Sequence, residues 1–214
     1  YLLISHDHWD HLDYATATAL RSKVGQVVCP LGVGAHFEAW GYGKETVFEG
    51  DWYSVLEGKG GFAIHILPAR HFSGRSLTRN KTLWAGFALV TPERRIFFSG
   101  DSGYGKHFAE IGARFGGFDL AMLDCGQYDE NWRYVHMMPE DTAQAAEDLR
   151  ARALLPGHVG KFAIAYHTWD DPFKRIVAAS RGKPYRLLLP LIGEPVALPI
   201  ASDGESLRWW EAGR

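Results

Sequence analysis

The sequence predicts an α/β fold, and three observations predict it. Short apolar runs of β character alternate with segments of helical character along the 214 residues. Several of the strand-like runs end in loops that carry His, Asp and Gly, the places where functional side chains commonly collect. The length suits one domain or a tight pair of half-domains, and such a chain buries roughly 70% of its unfolded surface. A single domain over residues 1–214 is expected.

Each element has a local reason. Tyr1–Ile4 is an apolar run, and Leu12–Arg21 reads as a helix with Asp13 as its cap. Gln26–Cys29 is a β-like run closed by Pro30 and two glycines, and Ala35–Trp40 is a short helix stopped by Gly41-Tyr42-Gly43. Thr46–Phe48 and Trp52–Val55 are short strands. Gly61–Leu67 alternates, with Phe62, Ile64 and Ile66 on one face and Ala63, His65 and Leu67 on the other. Leu83–Val90 and Arg95–Ser99 form a hairpin across Thr91-Pro92-Glu93-Arg94. Lys106–Phe115 is a helix with a solvated His107 near its start. Leu120–Leu123 and Ala153–Pro156 are buried strands. A helix from Pro139 to Arg150 has proline and acids in its first turn, and another runs over Asp171–Arg181. The tail holds strand-like runs over Arg186–Leu191 and Pro195–Ile200.

The chemistry concentrates in residues 6–11, which hold three His and two Asp. Neutral imidazole and carboxylate are the usual ligands of zinc and similar divalent ions. His6 and His8 lie two apart, so in an extended segment they point the same way. Asp10 and His11 are adjacent, so a turn there aims both at a second point. The stretch reads as two half-sites side by side. His71 follows the Gly61–Leu67 strand and supplies a third imidazole for the first. Asp101 ends another apolar strand, and one carboxylate can bridge two metals. His158 lies between Gly157 and Val159, in a turn that can direct it into a site.

The motif His6-x-His8-x-Asp10-His11 after a hydrophobic strand resembles that of the metallo-β-lactamase superfamily. The resemblance implies a four-layered αββα fold. It implies His6, His8 and His71 as ligands of a first metal, Asp10, His11 and His158 as ligands of a second, and Asp101 as the bridge. Pro68–Arg75, Arg79–Phe87, Gly100–Tyr104 and Tyr134–Glu140, in that order, are similar to the branch containing the RomA-like proteins and N-acylphosphatidylethanolamine phospholipase D. The likeness runs to about Pro172. In that branch His136 matches a residue near the metals that is not one of the seven ligands, a candidate for substrate binding or acid–base work, with helix capping or packing as its alternative. His167 is a weaker candidate. In this fold the motif follows several strands, so the chain, entering it within six residues of Tyr1, reads as lacking its N-terminal strands.

The implied cofactor is a pair of divalent ions, zinc first, with manganese or iron as alternatives. Two such ions share a water and lower its pKa, and Asp10 can orient that nucleophile. The resemblance to the phospholipase D branch implies that the bond attacked is a phosphodiester of a small-molecule or lipid-like substrate. A lactone, ester or amide, a nucleic acid, or a non-catalytic binding role are the competing readings. A net charge of −2 offers no basic excess for a phosphate backbone, which disfavours nucleic acid. Cys29 and Cys125 form no C-x-x-C pair and fit reduced, buried thiols of a cytosolic protein. No run of about 18 apolar residues is present, so no transmembrane helix is expected. An open sheet edge makes self-association an expectation too.

Overall fold

Val27, Val28 and Cys29 are all fully buried, and their alternation shows why two sheets form. They lie on β2 (Val27–Pro30), the centre of a three-stranded parallel sheet with β1 (Leu2–Leu3) and β3 (Val47–Gly50). Val27 and Cys29 face α1 (Tyr14–Leu20) and α2 (Gly34–Ala39), packing with Leu12, Ala17 and Phe37. Val28 faces the other way and packs on Ile64, Ile66 and Phe87 of a second sheet. A strand buried on both faces reads as a continuous apolar run, as this one does. Asp13 caps α1 by accepting from the Thr16 amide at 2.7 Å.

The second sheet has seven strands. Its first half is an antiparallel meander of β4 (Val55–Glu57), β5 (Ala63–Leu67), β6 (Gly86–Val90) and β7 (Arg95–Phe98). Its second half, β8 (Leu120–Asp124), β9 (Ala153–Gly157) and β10 (Arg186–Leu187), continues parallel to β7. Between them run the helices α3 (His107–Phe115), α4 (Pro139–Asp148) and α5 (Asp171–Ala179). All three cover one face of the sheet, where Phe97, Phe108, Phe118, Leu123, Leu149 and Ile176 are buried together. Helices, small sheet, large sheet and helices thus stack as four layers, αββα. The structure, a computed structural model, describes residues 1–75, 77–161, 164–199 and 208–211.

Three expectations need correction. The strand placed at Trp52–Val55 begins only at Val55, because the Ser54 amide donates to the Asp51 carbonyl and Tyr53 has φ 72°, a tight turn. Among the described residues of the tail only Arg186–Leu187 forms a strand. Pro190, Pro195 and Pro199 lack the N–H that a ladder needs, no strand forms over 195–199, and Ile200 lies outside the described residues. His107 is half-buried instead of solvated: its ring packs on Phe108, centroids 4.1 Å apart, with Nε2 at 3.4 Å from Ser102 Oγ. The C-terminal ends of β5, β7, β8 and β9 share one edge of the sheet, since two antiparallel pairings bring β5 parallel to β7.

Candidate metal centre

Seven side chains named from the sequence come together at that edge. His6 and His8 follow β1. The chain then turns, with the amides of His11 and Leu12 both donating to the His8 carbonyl at 3.1 and 2.8 Å, which brings Asp10 and His11 round to a second point. His71 arrives from β5, Asp101 from β7 and His158 from β9. His6 Nε2 and His71 Nε2 stand 3.0 and 3.2 Å from His8 Nδ1. One oxygen, Asp101 Oδ2, lies 3.8 Å from His6 Nε2, 3.8 Å from His71 Nε2, 3.1 Å from His11 Nε2 and 3.3 Å from His158 Nε2. Asp10 Oδ2 sits 3.4 Å from His11 Nε2 and 3.8 Å from His158 Nε2. The donors group as His6, His8 and His71 on one side and Asp10, His11 and His158 on the other, with Asp101 between.

The donor set fits divalent metal. Ligands ~2.0–2.1 Å from a tetrahedral ion stand about 3.3 Å apart, close to the nitrogen spacings of the first group. Burial lowers the pKa of His6 and His71, the latter to about 3, so both rings are neutral. Burial lowers His8 as well. His71 Nδ1 donates to the Val135 carbonyl at 2.9 Å, which leaves its Nε2 a bare lone pair, and His6 Nδ1 meets Ser5 Oγ at 3.0 Å. Such outer contacts fix the tautomer that leaves Nε2 free for an ion. Burial disfavours a charged His11, but the carboxylates of Asp10 and Asp101 outweigh it and raise its pKa to about 10. His11 Nε2 is buried without an aligned hydrogen bond among the described residues. Asp101 is held well below the carboxylate range: burial opposes this, and the surrounding imidazoles, His11 first, prevail. The contact with His11 lowers Asp10 in the same way.

A second loop braces the motif. The Gly74 amide donates to Asp7 Oδ1 at 2.8 Å, and the Arg75 guanidinium donates to the carbonyls of Asp7 and Leu12 at 3.0 and 2.6 Å while lying 4.0 Å over the Trp9 ring. Asp7 is therefore a strut rather than a member of either group. His136 offers a ring nitrogen close to donors of His71 and Asp101, and its own Nδ1 meets Asp124 Oδ2 at 2.9 Å. The sequence did not single out Asp124. It ends an apolar strand much as Asp101 does, and that resemblance of context was the available signal. His167 belongs elsewhere: it stacks on Tyr128, centroids 4.2 Å apart, and its Nε2 meets the Gly126 carbonyl at 2.8 Å.

The profile of the beta-lactamase superfamily domain matches residues 1–159. The chain belongs to the metallo-β-lactamase superfamily. Members of this superfamily are metal-dependent hydrolases. The outer membrane protein RomA of Klebsiella pneumoniae is 65% identical over 98 residues, 46% of this chain and 74% of that protein. The mitochondrial N-acyl-phosphatidylethanolamine-hydrolyzing phospholipase D of Saccharomyces cerevisiae is 35% identical over 185 residues, 82% of this chain and 39% of that enzyme. The chain spans about half the length of the mycobacterial relatives it matches, 53% in a Mycobacterium tuberculosis protein 42% identical to it. A metallo hydrolase of Ignicoccus hospitalis shares the fold, with a TM-score of 0.67 at 17% identity over 87% of this chain and 74% of that one. Among the described residues no helix is long and apolar enough to cross a membrane.

Proposed function

We propose that the chain is a binuclear-metal phosphodiesterase acting on a lipid-like or other small-molecule phosphodiester. One observation carries the reading: a single carboxylate oxygen, Asp101 Oδ2, lies within 3.1–3.8 Å of four imidazole nitrogens drawn from both groups. A lone metal would need one group, and the shared oxygen serves two. The choice of bond rests on the yeast relative, an N-acyl-phosphatidylethanolamine-hydrolyzing phospholipase D, because phosphatidylethanolamine is a phosphodiester.

His6, His8, His71 and Asp101 would hold one ion, and Asp10, His11, His158 and Asp101 the other; zinc suits this N/O set, and manganese or iron would also fit it. Bound ions supply there a water of lowered pKa and positive charge for the oxyanion that develops. Asp10, at the rim, accepts a hydrogen bond from the attacking water and orients it. Water oxygen bonds to phosphorus as the bond from phosphorus to the leaving oxygen breaks, and the proton that the water loses passes to solvent. His136 gives its proton to that leaving oxygen and regains one from solvent. Asp124 holds His136 in the tautomer and direction this needs, and it raises the His136 pKa against the opposing effect of burial.

Metal content by elemental analysis, paired with hydrolysis of bis-p-nitrophenyl phosphate before and after chelation, tests the reading. About two metals per chain with chelator-sensitive turnover supports it. Two metals without phosphodiester turnover would overturn the choice of bond and move the search to lactones, esters and amides. A chain that takes up no metal would overturn the mechanism.

A further inference from the structure

His158 has φ +57°, a left-handed conformation that residues other than glycine seldom adopt. Such a residue stays there only when its surroundings hold it. Val159, the next residue, packs against the core, while Ile164 and Tyr166 farther along are exposed. The loop leaving β8 holds His158 from the other side. The Cys125 amide donates to the Gly157 carbonyl at 3.1 Å. A Cβ on Gly126 would lie 1.8 Å from the His158 carbonyl oxygen, so only glycine allows the two backbones this close.

The next residue, Gln127, is 3% exposed, and its amide is used at both ends. Oε1 accepts from the amides of Ile164 and Ala165 at 3.0 and 3.1 Å. Nε2 donates to the His158 carbonyl at 3.5 Å. Its own carbonyl accepts from Trp132 Nε1 at 2.8 Å, in the loop that leads to His136. One buried side chain thus ties His158 to the chain six and seven residues beyond it, while the main-chain carbonyl of the same residue anchors the loop leading to His136.

We infer that Gln127 is a positioning residue for the metal site formed by Asp10, His11 and His158. Its side chain acts on that site, because the partners of its amide are His158, Ile164 and Ala165. The link toward His71 runs from its main-chain carbonyl through Trp132 and the Val135 carbonyl, and a side-chain substitution leaves that link in place. The inference rests on the binuclear reading, and its test needs no substrate. Partners of this kind commonly govern metal affinity by ~10–100-fold.

Zinc titration of the full chain by calorimetry, with elemental analysis after dialysis, should show two classes of site in the wild type. Gln127→Ala should weaken one class by ~10–100-fold and leave the other unchanged. Gln127→Glu keeps the acceptor for Ile164 and Ala165 but loses the donor to the His158 carbonyl, so it should restore only part of the loss. A loss of folding alone would weaken both classes together. Equal weakening of both classes, no change in either, or an Ala and Glu pair that behave alike would overturn the assignment. Amide exchange on the wild type gives a check independent of any variant: Ile164 and Ala165 should be protected, and exchange at the rate of free chain would overturn it. Two metals with no phosphodiester turnover would remove the proposed function and leave the tether standing. A wild-type chain with one class of site would remove both.

Discussion

Asp124 Oδ2 grips His136 Nδ1 at 2.9 Å, and the second carboxylate oxygen of Asp124 is buried without a hydrogen-bond partner among the described residues. The aspartate is fixed by backbone contacts: its amide donates to Ser99 Oγ at 3.0 Å, and its carbonyl accepts from Thr142 Oγ1 at 2.7 Å. A carboxylate buried at this cost, with one strong partner, marks an imidazole whose orientation matters. His136→Ala is expected to lower kcat by ~10²–10⁴-fold with the metal content unchanged. Asp124→Asn should fall in the same direction by less, because the ring remains. The loss should be larger for an alkyl leaving group than for p-nitrophenolate, which needs little help from an acid. Equal losses on both substrates would argue against proton donation.

Asp101→Ala removes the one oxygen that faces both groups. Both metals should weaken together, and elemental analysis after dialysis should find well under one ion per chain. His8→Ala should remove one ion and spare the other, since His8 stands with His6 and His71 only. The contrast between these two variants tests the shared-oxygen geometry without an activity assay.

His107 gives a pH prediction away from the donors. Burial lowers its pKa to about 4. Its unfolded value is near 6.5, so the folded chain is the poorer proton binder. The contribution to stability is full above about pH 6.5 and is lost as pH falls toward 4. At about 1.4 kcal/mol per pKa unit, the loss has an upper bound of about 3.5 kcal/mol, less for the partial exposure of the ring. His107→Gln should flatten the stability curve between pH 6.5 and 4, read as urea midpoints at matched pH. A curve parallel to the wild type would show that the ring is hydrated in solution.

Gly112 lies in α3 where the helix meets the end of α4. A Cβ there would lie 2.2 Å from the Asp148 carbonyl oxygen and 2.8 Å from the Leu149 Cα, both backbone atoms. Gly112→Ala improves helix propensity by up to ~1 kcal/mol, and overpacking costs ~1–3 kcal/mol or more, so net destabilisation is expected. The denaturant midpoint should fall, with metal content at low denaturant unchanged. A rise in the midpoint would mean that the helices part without penalty.

Residues 6–11 made much of the candidate centre readable in advance, because a single turn there carries donors for two points. Strand alternation likewise exposed β5, and the proline in the first turn exposed α4. What escaped was whatever depends on loops meeting across the sheet. His71 reaches His8 through the register of β5 with its neighbours, and the sequence marked it only indirectly, by its place after that strand and by the third imidazole the first half-site lacked. Asp124, at the end of β8, and Gln127, in the loop after it, read as ordinary strand-end and turn chemistry, since nothing local says that one meets His136 and the other Ile164 and Ala165. His107 misled for the same reason: a polar residue in a first helical turn is normally wet, and its Ser102 contact depends on how α3 docks.

The side chains facing Asp101 come from residues 6 to 158, delivered by strands of two different sheets. Closing so long a span of chain comes late in folding, after most loop entropy has already been lost. An ion would then find its full cage only once both sheets have docked. Its effect on the chain's kinetics should be lopsided: refolding at nearly the same speed with or without zinc, and escape from the native state slowed in proportion to the affinity. The centre would act as a latch on a finished structure and not as a seed for building one.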